Sequence, residues 1–216
     1  MTVKITYLFS LFALLVLLAL PSDANAQARR DDFLIRGPVG DVDRNALVSS
    51  AAAKEYYKKC TGHLPIGFTP SARNEFCTCS SISVTQVLTH GELEAVQGEL
   101  KRNDAYYSTA LIKYVEGVVT PCLETPVRNL SYITCLEERA HDNRIRNFPA
   151  YCSCAGDVSA KMLQARGSKD IIGHYTTFEK DPDVRPVESF MSSPAYRNYV
   201  ATGMRACIQP AFLGGY

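Results

Sequence analysis

Apolar residues along this chain form one dense block followed by several spaced stripes. Tyr7 to Leu20 is an almost unbroken run of Leu, Phe, Ala and Val, with Lys4 before it and Pro21 at its end. Ala24-Asn25-Ala26 then supplies the small residues that a signal peptidase pocket accepts. The pattern predicts an export signal over residues 1–26 and a mature chain starting at Gln27. The block is shorter than the roughly 20 residues that span a bilayer, and no later stretch is as apolar. No stable membrane insertion is therefore expected once the signal is removed.

Residues 27–45 are polar and carry Gly37-Pro38 and Gly40, which predicts an extended arm or linker, with Phe33-Leu34-Ile35 placed to dock on the core. From there the apolar spacing becomes helical. Ser49 or Ser50 caps a helix running through Ala51, Tyr56 and Tyr57 to Cys60, and Gly62, Pro65, Gly67 and Pro70 predict a loop after it. Val84, Val87 and Leu88 continue a helix from Cys79, and Thr89-x-x-Glu92 predicts a capping box opening another. Asn103 or Asp104 caps a third, whose stripe of Tyr107, Leu111, Tyr114, Val115, Val118 and Cys122 is the clearest amphipathic face in the chain. Further on, short helices are expected over Val127–Glu138 and Cys154–Arg166, the latter stopped by Gly167. A closing helix starts at Ser193-Pro194 and carries Tyr196, Tyr199, Val200, Gly203 and Cys207. Runs alternating with period two are missing, so the fold class expected is all-α.

The cysteines change this picture from a string of helices to a repeated unit. Cys60, Cys77 and Cys79 are spaced C-x16-C-x-C, and Cys135, Cys152 and Cys154 repeat that spacing without change; each set closes on a distant cysteine, Cys122 or Cys207. The neighbours match at an offset of 75: Phe76-Cys77-Thr78-Cys79 aligns with Tyr151-Cys152-Ser153-Cys154, and Val87-Leu88 with Met162-Leu163. This predicts a tandem duplication of small helical units stapled by disulfides, repeat 1 over residues 46–126 and repeat 2 over 127–210, with a loose tail at 211–216. Cysteines two apart on a helix point nearly opposite ways and cannot close on each other without strain. Each C-x-C pair therefore has two distant partners, and spacing alone leaves two pairings open: Cys60 with Cys77 and Cys79 with Cys122, or Cys60 with Cys79 and Cys77 with Cys122. The same two alternatives hold in the second repeat. About ten extra residues fall between His174 and Ser193, a Pro-containing segment that reads either as a functional loop or as tolerated padding; as a functional loop, its candidate partner contacts are Phe178, Phe190 and Met191.

Composition narrows the function classes. The formal charge is +1, it stays +1 when Lys4 and Asp23 leave with the signal, and basic residues are interleaved with acidic ones. Nucleic-acid binding needs clustered Lys and Arg, and the densest group, Arg144 to Arg146, reads as a solvated loop. An even set of eight cysteines behind a signal implies a disulfide framework in a periplasm or outside a cell. The sharper alternative is a thiol-disulfide or copper handling protein that uses Cys77, Cys79, Cys152 and Cys154, because closely spaced thiolates bind soft Cu(I) and exchange disulfides. His63, His90, His141 and His174 lack any metal-binding spacing, and no nucleophile elbow, phosphate loop or dinucleotide fingerprint occurs. Asn129-Leu130-Ser131 matches a glycosylation sequon on a predicted helix. The reading is a protein without cofactor that binds a protein partner non-catalytically, as an inhibitor, an immunity-type antagonist or an envelope assembly factor.

Overall fold

In the computed structural model, residues 43–63, 65, 67–98, 104–139, 142–143, 145–179 and 185–208 are described. The predicted signal, most of the arm, His141, Arg144 and the tail lie outside them. The described residues belong to one unit and are mostly helical, with no strand among them; Leu47 and Thr89 form an isolated antiparallel bridge.

Short polar side chains start most of the helices. Ser49 caps α1 (Ser50–Thr61) by accepting from the Ala52 N–H, and Thr69 caps α2 (Pro70–Val87), with Pro70 in the first turn, where its missing N–H costs nothing. The expected capping box opens α3 (His90–Gln97): the Thr89 hydroxyl accepts from the Glu92 N–H, and the Glu92 carboxylate accepts from the Thr89 N–H. Asp104 caps α4 (Ala105–Tyr114). A π turn (Val115–Val119) leads without a break into α5 (Thr120–Arg139). Asn147 caps α6 (Phe148–Phe178), α7 (Pro186–Met191) is a short turn of helix, and Ser193 caps α8 (Pro194–Ala206) with Pro194 in the first turn, as the sequence predicts.

Three differences from the sequence reading have physical reasons. The helix closing on Cys122 and the one carrying Cys135 are continuous. Thr120 N–H bonds back five residues to the Val115 carbonyl, and the register shift lets the chain pass Pro121 without ending the helix. Gly167 does not stop α6, because its role is packing: a Cβ there would lie 2.6 Å from Leu163 Cδ1 and 3.3 Å from Thr120 Cγ2. The segment from His174 to Ser193, expected as a loop, is partly helical, since α6 runs on to Phe178 and α7 follows, with residues 180–184 outside those described.

Helix α6 is the centre of the packing, in contact with α5, α8 and α7, while α2 packs on α1 and α5. Buried side chains from Val48 to Cys207 form one contiguous core that draws on both halves. Buried polar bonds fix α8 on α6: Tyr151 Oη donates to the Met204 carbonyl at 2.8 Å, and Ser159 Oγ bonds to the Tyr199 carbonyl at 3.2 Å. Burial pushes the Tyr196 phenol up to about 12, and it raises that of Tyr199 further, helped by its bond to Asp170 at 2.5 Å.

Glu92 joins this framework to pH. Burial works to raise its pKa, but the Lys113 ammonium at 2.8 Å and the Thr89 groups outweigh it and hold the carboxyl below its ordinary 4.5. A folded-state value below the unfolded one contributes stability that is present above pH 4.5 and lost as pH falls through the lowered folded value. Glu92→Ala is expected to lower stability at pH 7 by about 1 to 2 kcal/mol. It should also flatten the acid limb of a urea-midpoint profile below pH 4.5, whereas a limb as steep as in the parent would rule Glu92 out as its source.

Candidate functional site

All eight cysteines are bridged, Cys60 to Cys77, Cys79 to Cys122, Cys135 to Cys152 and Cys154 to Cys207, with Cα separations of 5.6, 5.5, 5.4 and 5.9 Å. This selects one of the two pairings the spacing left open. The reason is helical phase. Both C-x-C pairs lie inside helices, so their members face opposite neighbours: Cys77 meets α1 while Cys79 meets α5, and Cys152 meets α5 while Cys154 meets the residue that ends α8. The bridge order is the same in both halves, although the helix arrangement is not. Leu88 and Thr89 break the first half between α2 and α3, and the positions 75 residues later lie within unbroken α6. With every Sγ in a bridge, no thiolate is on offer at Cys77, Cys79, Cys152 or Cys154 in this oxidised form.

The three candidate contacts between His174 and Ser193 separate. Phe190 is fully buried, edge-on to Tyr196 and Tyr199 with ring centroids 5.8 and 5.7 Å away, and Met191 is also buried. These two hold the segment to the core. Phe178 is 67% exposed at the end of α6, its ring 5.2 Å from that of His174, so it is the member that faces outward.

His63, which has no metal-binding spacing in the sequence, meets a partner from far along the chain. Its Nε2 hydrogen-bonds the Glu188 carboxylate of α7, which also accepts from the Arg185 N–H at 3.1 Å. The Tyr56 and Tyr114 hydroxyls bond to each other at 2.9 Å, and Arg185 acts electrostatically on both. Burial raises both phenols, Tyr114 further than Tyr56, so both stay protonated. The His63–Glu188 bond ties the loop after α1 to α7 across 125 residues of sequence. No local spacing signals such a pair. His90 accepts from the Ser49 N–H at 3.1 Å, which is a role in holding the start of α1.

A groove of about 460 Å³ opens between α2 and α5, walled by Glu75, Thr78 and Cys79 on one side and Pro121, Cys122 and Pro126 on the other. Pro121 and Pro126 have no N–H, so the carbonyls of Gly117 and Cys122 receive no α-helical bond. Asn129 of the sequon points its amide at Glu75, 3.4 Å away across the same pair of helices. Among the described residues no helix is long and apolar enough to cross a membrane. The chain significantly matches no known protein family, no curated protein and no solved structure.

Proposed function

We propose that this chain is an exported binding protein whose helices are locked by disulfides, acting without catalysis on a protein partner in a periplasm or outside the cell. The observation that carries the reading is the complete oxidation of the cysteine set into four bridges within the chain. Such sets persist in oxidising compartments and are reduced in the cytosol. The export signal over residues 1–26 fits that compartment. The repeated bridge order favours descent of residues 46–126 and 127–210 from one duplicated unit. Inhibitor, immunity-type antagonist and envelope assembly factor are the roles this proposal covers. Phe178, exposed beside His174 at the end of α6, is the side chain we place in the contact, with buried Phe190 and Met191 supporting the segment that follows.

The test uses the full chain exported into a bacterial periplasm. Mass analysis is expected to show a start at Gln27 and no titratable thiol without reductant. A photo-crosslinking residue at position 178 should give one discrete adduct in cells that make the protein, competed away by unlabelled protein but not by Phe178→Asp. An unprocessed start defeats the export reading. Titratable thiols at the C-x-C pairs would instead favour the thiol or copper reading.

A further inference from the structure

The four bridges are not equally reachable. Cys77, Cys135 and Cys152 are fully buried and Cys60 is 7% exposed, whereas Cys79 and Cys154 are each only partly buried. Of these two, Cys79 belongs to a bridge that forms part of the wall of the α2/α5 groove. One turn along α2, Ser83 sets its hydroxyl 3.5 Å from Cys122 Sγ. A bridged sulfur carries no proton, so the hydroxyl is the donor. At the offset of 75 that aligns the two C-x-C pairs, Ser83 falls on Val158, so the corresponding position beside Cys154 has no such donor.

We propose that Cys79–Cys122 is a site of thiol-disulfide exchange with an external dithiol that reaches it through the groove. One thiolate of the dithiol attacks Sγ of Cys79, the less buried residue of the bridge, and forms a mixed disulfide with it. The Cys79–Cys122 bond breaks, and Sγ of Cys122 leaves with the electron pair as a thiolate that accepts the Ser83 hydrogen bond. The second thiol of the same reagent, once deprotonated, attacks its partner sulfur and releases Cys79 as a thiolate. The reagent ends as a disulfide having given up two electrons, and the two protein thiolates take up protons from water. Exchange rates follow access and the basicity of the leaving thiolate. The groove supplies the first and Ser83 lowers the second. Reduction here frees α5 beside its π turn, where Pro121 and Pro126 already weaken the helix, and leaves the three other bridges in place.

The inference rests on the chain being fully bridged at the outset, which a thiol count on the starting protein checks separately. The oxidised full chain is then held in dithiothreitol without denaturant, quenched with N-ethylmaleimide at intervals and mapped by mass. Cys79 and Cys122 are expected to be labelled first. Ser83→Ala should slow their labelling roughly three- to tenfold without shifting the thermal midpoint, and Ser83→Thr should restore it. Labelling of Cys154 and Cys207 first, release of all four bridges together, or an unchanged rate in Ser83→Ala would each overturn the proposal.

Discussion

Replacing Cys154 and Cys207 together by alanine is expected to cost about 4 kcal/mol of unfolding free energy, and so is replacing Cys79 with Cys122. Removing either narrow bridge, Cys60–Cys77 or Cys135–Cys152, should cost about 3 kcal/mol. The ordering comes from the unfolded chain. The wide bridges close separations of 53 and 43 residues and the narrow ones 17 each, and a longer loop loses more freedom when it is closed. Alanine is the right replacement because these sites are mostly buried, where a serine hydroxyl would need a partner. Urea unfolding of the four double variants checks the order, with a steeper denaturant dependence expected in each because the freed chain expands further. A narrow-bridge variant less stable than both wide-bridge variants would show that native packing around the sulfur outweighs loop entropy.

Gly203→Ala should destabilise the protein by about 1 to 3 kcal/mol, against the usual sign of a glycine-to-alanine change inside a helix. A Cβ at this position would lie 2.5 Å from the Ala155 carbonyl oxygen and 2.9 Å from Ser159 Oγ. The first of these is backbone of α6 and cannot rotate aside, so α8 must lift and strain the Ser159 bond to the Tyr199 carbonyl. Gly173 is the matched control. It lies in the interior of the same α6, is exposed, and has nothing within 4 Å of its would-be Cβ. Gly173→Ala should therefore stabilise by up to about 1 kcal/mol. Thermal unfolding of the two variants should shift in opposite directions, and a shared direction would refute the close approach of α8 to α6.

Local chemistry was legible in the sequence wherever one residue governs its neighbours. The capping box at Thr89 and Glu92, the Ser193-Pro194 helix start and the stripe from Tyr107 to Cys122 could all be read because their partners lie within a turn or two. The rule that C-x-C members take different partners followed from helical phase, but which partner belongs to which sulfur depended on where α1 and α5 sit against α2. Gly167 misled because punctuation and close packing call for the same residue. The join between Cys122 and Cys135 was hidden because Pro121 and Pro126 interrupt the helical spacing around it, and the π turn that carries the chain past the first depends on geometry. The His63–Glu188 contact and the Ser83–Cys122 contact, separated by 125 and 39 residues, left no trace in spacing.

Helix α5 holds one cysteine of each half, Cys122 and Cys135, on a single rod. Neither half can be cut out, swapped or inherited alone without severing that rod and stripping the shared core. Heat should melt the molecule in one cooperative step, with calorimetric and van't Hoff enthalpies in agreement. The two sets of cysteines thus stand or fall together in one folding unit.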